Sequence, residues 1–200
     1  MTTSRPRSKR SQVRSQRIGL TWMRSCGPRV SRLGKIISGG QTGVDQAALR
    51  AARDCGLEIG GWCPPGRICE TGVIPSEFPL EETEQDRSVG APDIPRSQRT
   101  EWNVRDSDGT LVLAKGGGGA SHSDAATEDV GTEWAMQCAK RFKRPLLVCD
   151  VSDPDAKQKV QEWLRRFPIK VLSVGGPAES TLSGIGDRAY RLLRGVLEDL

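Results

Sequence analysis

The sequence predicts an α/β protein of Rossmann-like, three-layer architecture with a mainly parallel sheet. Two observations carry that prediction. Short apolar runs of strand length alternate with segments whose apolar residues recur at helical spacing, and three of those runs are followed by a glycine-rich loop. Single crossovers imply parallel strands with helices on both faces. The three loops, 39–45, 115–132 and 175–181, then lie at carboxyl ends of strands, the edge at which open sheets of this kind bind ligands.

Taken in order, residues 35–38 (KIIS) form the first strand. Val44, Ala48, Ala51, Ala52 and Cys55 then share one helical face opposite Arg50, Arg53 and Asp54, and Gly56 ends the helix. A second strand is expected within 57–62. Pro64, Pro65, Gly66, Gly72, Pro75 and Pro79 mark a long irregular excursion beyond it. A helix over 98–104 leads through the turn Asp108-Gly109 into 110–114 (TLVLA), an apolar run typical of a strand buried on both faces. The helix after the second loop buries Trp134, Cys138 and Phe142, and strand 145–149 follows. Asp153 as cap and Pro154 at the first helical position announce a helix with Val160, Trp163, Leu164 and Phe167 on one side. Strand 169–174 and a last helix, with Ile185, Ala189, Leu192, Leu193 and Val196 inward, complete the pattern.

Charge divides the chain unevenly. Residues 1–35 hold ten Lys/Arg and no acid, which leaves 20 basic and 25 acidic groups in the other 165 residues, a net of −5. The expected organisation is a disordered basic tail, 1–33, and one Rossmann-like ligand-binding domain, 34–200. Three readings of the tail stay open: a dispensable extension, a transit peptide, or an arm for nucleic acid, which is otherwise not an expected partner. Six scattered cysteines without a CxxC pair, and His122 as the one histidine, give a reduced, cytoplasmic pattern with no metal site. No run approaches the roughly 18 apolar residues of a membrane span.

The first loop, SGGQTGVDQAAL (38–49), carries the most chemistry. Amides at a helix start have no intrahelical partner and sit at the positive end of its dipole, and Gly39, Gly40 and Gly43 let an oxyanion approach closely, with Gln41 between them. Thr42 adds a hydroxyl, and Asp45 can accept from a ribose hydroxyl. The same spacing also reads as a capping box in which Thr42 and Asp45 satisfy orphan amides.

Four motifs, SGGQTGVDQAAL, GGWCPPGR (60–67), WNVRDSDGTLVL (102–113) and GGPAES (175–180), together resemble the molybdenum carrier family. That family is a branch of the Rossmann-like superfamily that includes lysine-decarboxylase-like and Lonely Guy phosphoribohydrolase proteins. The resemblance spans about 35–200 and implies a nucleotide, a nucleotide derivative or molybdenum cofactor as ligand. Lonely Guy proteins carry PGGxGTxxE, whose glutamate assists N-glycosidic cleavage. Here Gly131 and Thr132 match, but Ala135 stands in the glutamate's place, and Glu133 points about 200° away around the helix. The second loop is longer than the family's by residues 115–129.

The remaining candidates come with competing roles. Arg67, like the family's basic loop residue, either pairs with a ligand oxyanion or is solvated. Asp106 and Asp108 belong to the third motif and read as a turn before a strand or as pocket residues. Gly176, Glu179 and Ser180 lie on the third loop, where Glu179 and Ser180 either meet a ligand or cap a helix. Trp62, Trp102 and Trp134 either fill the core or stack on a ring. Two functions compete: a binding or carrier protein for a phosphorylated small molecule, acting as a homo-oligomer, and a nucleotide N-glycosidic or phosphate hydrolase using Asp45, Glu133 or Asp108.

Overall fold

The computed structural model describes Met1 and residues 33–116 and 130–200. The basic tail but for its two ends, and 117–129 of the second loop with His122, lie outside the described residues. In chain order the elements are β1 (Lys35–Ile37), α1 (Val44–Asp54), β2 (Glu58–Gly60), β3 (Trp62–Cys63), β4 (Ile68–Cys69), β5 (Gly72–Val73), β6 (Glu81–Glu82), α2 (Ser97–Arg105), β7 (Gly109–Ala114), α3 (Val130–Arg141), β8 (Leu146–Asp150), α4 (Ala156–Arg166), β9 (Val171–Gly175) and α5 (Ile185–Glu198).

Five strands form one sheet in the order β2-β1-β9-β7-β8, and every pairing in it is parallel. The alternation along each strand sorts its side chains to two faces. Ile36, Leu111, Leu113, Leu172 and Val174 join the alanine face of α1 and the apolar faces of α4 and α5 in the main core. Each fully buried leucine or valine there stabilises the fold by about 2 kcal/mol relative to exposure. Across the sheet, Val104 of α2 packs with Trp134, Ala135, Cys138 and Ala139 of α3. This gives helix, sheet and helix layers, and β7, buried along its whole length, lies between them.

Chain order and spatial order disagree in an informative way. Counting from β9 as strand one, then β1, β2, β7 and β8, turns the observed order into 3-2-1-4-5, the arrangement of a doubly wound nucleotide-binding sheet. The chain is such a sheet with its leading βα unit, β9–α5, placed last. The switch in strand order falls between β9 and β7.

Three local expectations need correction. The strand expected over 57–62 is two strands, because Gly61 separates β2, in the main sheet, from β3, which pairs with β6. The helix expected from Pro154 begins at Ala156, and Asp153 instead closes the preceding turn by accepting from the Asp155 amide at 2.8 Å and from Lys159. The excursion is built, not irregular: Cys63, Cys69, Ile74, Phe78 and Leu80 bury themselves against Leu49 of α1. Arg67 holds it together, donating to the carbonyls of Leu80 at 2.7 Å, Phe78 at 2.9 Å and Pro75 at 3.3 Å.

Candidate functional site

An open cavity of 360 Å³ lies at the carboxyl edge of the sheet, at the switch between β9 and β7. It is lined by Gly39 and Gln41 of the first loop, Glu70 of the β4–β5 hairpin, Gly175 at the end of β9, and Gly176, Ala178, Ser180 and Thr181 after it. It continues down the sheet face under α2 and α3, where Arg96, Arg99, Thr100 and Asn103 meet Gly131, Thr132 and Ala135. Thr110 and Ser173, register partners on β7 and β9, form its floor. The Thr110 hydroxyl and Arg99 Nε are buried with no hydrogen-bond partner among the described residues; a third such atom, Arg144 Nε, lies away from the cavity.

Asp45 and Arg99 set the electrostatics of one wall. Asp45 is 3% exposed, and its Oδ2 accepts from Arg99 Nη1 at 2.5 Å and from the Gln41 amide at 3.2 Å. Arg99 reaches it by crossing the end of β1 over Gly39, where a Cβ would lie 1.6 Å from Nη1. Gly39 therefore makes room for an arginine rather than for a ligand oxygen. The capping box does not form: Gly43 is the N-cap, without a side-chain cap, and Thr42 and Asp45 accept instead from the amides of Glu179 and Gln41, outside the helix start.

The amides at the start of α1 are largely taken by the protein. Val44 donates to Pro177 O at 3.3 Å and Gln46 to Gln41 O at 3.1 Å. Gly43, at φ 76, faces the third loop, where a Cβ would meet Pro177 O at 2.6 Å and the Glu179 amide at 2.7 Å. Gly40 is turned toward Ile74 and Leu80. Thr42 and Gln41 instead join three loops. Gln41 Oε1 accepts from the Glu70 amide at 2.9 Å, and Thr42 Oγ1 accepts from the Glu179 amide at 3.3 Å while donating to Glu70. The Glu70 carboxylate also receives the Ser180 hydroxyl and, at 3.2 Å, the Ser180 amide. Burial pushes the Glu70 carboxyl up, but the bonds from Ser180 and Thr42 together outweigh it and hold it below its ordinary value.

Other candidates lie elsewhere. Asp108 is at the amino edge of the sheet, where its Oδ2 accepts from the amides of Lys170 and Val171, both at 3.0 Å, and fixes the start of β9. Asp106, beside it, accepts from Arg105 and from the Trp62 indole at 2.8 Å; the Arg105 guanidinium, against burial and with help from Trp62, holds its carboxyl below the usual range. Glu133 is exposed on α3 and outside the cavity lining, whereas Ala135, the residue in the glutamate's place, lines it. Glu179 binds the amides of Gly184 and, at 3.0 Å, Gly186, and so caps α5. Trp62 packs edge-on against Trp102 at 4.8 Å, and Trp134 donates to Ser97 O at 3.1 Å; none of the three lines the cavity.

Sequence reasoning did not single out Arg96, Arg99, Glu70, Thr110 or Ser173. Thr110 and Ser173 did carry a signal, since a hydroxyl inside an apolar strand run needs a partner once buried. Arg99 and Glu70 carried none, because their place depends on how α2 and the excursion fold back over the sheet. No group of three or more His, Cys, Asp or Glu suited to a metal ion occurs among the described residues, and no helix among them is long and apolar enough to cross a membrane.

Residues 36–197 match the profile of the Circularly permutated YpsA SLOG family. Among solved structures, the chain is similar to the crystal structure of "Putative molybdenum carrier protein" from Syntrophus aciditrophicus SB. The two share 34% identity over 84% of this chain and 96% of that one, with a TM-score of 0.71. Comparison with the curated proteins gave no match. The strand order, which becomes 3-2-1-4-5 when counted from β9, agrees with a permuted chain.

Proposed function

The chain belongs to the Circularly permutated YpsA SLOG family, and from that premise we propose that it is a binding or carrier protein for a phosphorylated small molecule. The ligand is a nucleotide, a nucleotide derivative or molybdenum cofactor. The observation that carries this reading is the cavity at the strand-order switch, lined by the hydroxyls of Thr110 and Ser173, the Asn103 amide and the guanidinium groups of Arg96 and Arg99. The cavity volume falls in the range of about 300–1,000 Å³ common to small-molecule sites.

The competing hydrolase needs an acid or base within hydrogen-bond reach of the scissile bond. Glu133 and Asp108 lie outside the cavity, and Asp45 is engaged by Arg99. Mass spectrometry of the small molecules released on denaturing the purified protein, followed by calorimetric titration of the species found, tests the reading. A nucleotide or pterin phosphate bound at one site per chain is the expected result. A protein that releases nothing and gives no binding heat with nucleoside monophosphates or molybdenum cofactor would refute it. Release of free base or ribose phosphate from nucleoside monophosphates would establish the hydrolase instead.

A further inference from the structure

We propose that the Thr42 hydroxyl, the Ser180 hydroxyl and the Ser180 amide form the oxyanion subsite of this cavity, and that the Glu70 carboxylate fills it as a displaceable internal anion. The inference rests on the proposed phosphorylated ligand and assigns where its phosphate lands and what it must displace. Three donors from two separate loops converge on one carboxylate. Charge-assisted donors of this kind serve a phosphate equally well, since it offers more acceptor oxygens and at least as much negative charge. The geometry around Glu70 is that of an anion site.

Glu70 is suited to leave. It sits at the tip of the β4–β5 hairpin, is exposed overall, and reaches the donors with a side chain that can rotate away while the hairpin stays anchored by buried Cys69. The other charged groups around it favour exchange. Arg96, on the segment before α2, lines the same cavity and exerts a favourable charge on the Glu70 position. The Glu179 carboxylate is turned to the α5 amides and does not compete for these donors. A phosphate and the Glu70 carboxylate cannot share the three donors without adjoining like charges, so binding and release of Glu70 are one event. A site closed by its own anion binds with an affinity reduced by the fraction of time it is open.

The test is calorimetric titration of adenosine monophosphate and of inorganic phosphate into the full chain and into Glu70→Ala, Glu70→Gln and Glu70→Ala/Ser180→Ala, with melting curves on the same samples. Glu70→Ala is expected to tighten adenosine monophosphate binding tenfold or more, Glu70→Gln to give a smaller gain, and Ser180→Ala in the Glu70→Ala background to lose most of it. Equal or weaker binding by a folded Glu70→Ala, where the wild type binds, overturns the latch and leaves the proposed function standing. If neither wild type nor variants bind either probe, the subsite falls, while the phosphorylated ligand stands or falls on the mass spectrometry of released molecules.

Discussion

Alanine at position 39 tests how the cavity wall is assembled. Gly39 is not among the glycines with positive φ, so the backbone accepts alanine. The new Cβ would lie 1.6 Å from Nη1, 2.5 Å from Cζ and 2.7 Å from Cδ of Arg99. All three atoms belong to one flexible side chain, so the clash is relieved when Arg99 swings aside, and the steric cost is small. The electrostatic cost remains. Arg99 and Asp45 have side-chain exposures of 18% and 3%, and removing one partner of a buried pair costs about 3–5 kcal/mol. Partial exposure of Arg99 puts the loss near the lower end, about 3 kcal/mol, with the Gln41 amide still bonded to the stranded carboxylate. For a chain of this size about 1 kcal/mol shifts Tm by about 2–4 °C, so Gly39→Ala should melt about 6–12 °C lower. Gly39→Ala/Asp45→Asn should recover about half of that loss, because the amide removes the unpaired charge. Scanning calorimetry on the wild type and both variants decides. A Gly39→Ala Tm within about 2 °C of wild type, or a double variant less stable than the single one, would refute the reasoning.

Asp108→Ala should cost about 1–3 kcal/mol in urea unfolding by leaving the amides of Lys170 and Val171, at the entry to β9, without their acceptor, with no change in ligand affinity because Asp108 is at the opposite edge of the sheet. Burial pushes the Cys138 thiol up to about 12 and the Cys149 thiol up to about 11. Peptide mapping after iodoacetamide treatment at about pH 8 should therefore find both unmodified in the native protein and alkylated in urea. Asp106, held below its ordinary value by Arg105 against burial, stabilises the fold above the unfolded carboxyl value of about 4, and that contribution is lost as pH falls through the lower folded value. An acid transition in tryptophan fluorescence that Trp62→Phe diminishes is the expected signature, since Asp106 accepts from the Trp62 indole.

The layers and the cavity edge were legible in the sequence because they follow from period and alternation. The apolar run 110–114 lies in β7, buried throughout, and Val44, Ala48, Ala51 and Ala52 face the core. The site's wiring was not legible. Gly39 and Gly43 each signal a close approach, but glycine does not say what approaches; the answers are Arg99, 54 residues from its partner Asp45, and the backbone of the third loop. Arg67 shows the same limit. Its sequence neighbours are prolines and glycine, which suggest an exposed turn, while the carbonyls it binds come from residues 8 to 13 positions on. Ala135 was readable because the helical period alone decides which of positions 133 and 135 faces inward.

The permuted order explains why the first loop drew more weight than its place in space supports. In a sheet read from its natural start, the leading βα turn borders the switch point and its helix start receives the phosphate. In this chain that turn is residues 176–184, at the far end of the sequence, and β1 is the second strand of the arrangement. Neither helix start is open in the expected way: the α5 amides of Gly184 and Gly186 bind Glu179, and the α1 amide of Val44 binds Pro177 O. Between the two turns, the Thr42 and Ser180 hydroxyls both donate to Glu70, which bridges the loops. An anion bound there would be gripped by both loops at once, so its arrival would tie the start of α1 to the turn before α5 across the break that the permutation opened between α5 and β1.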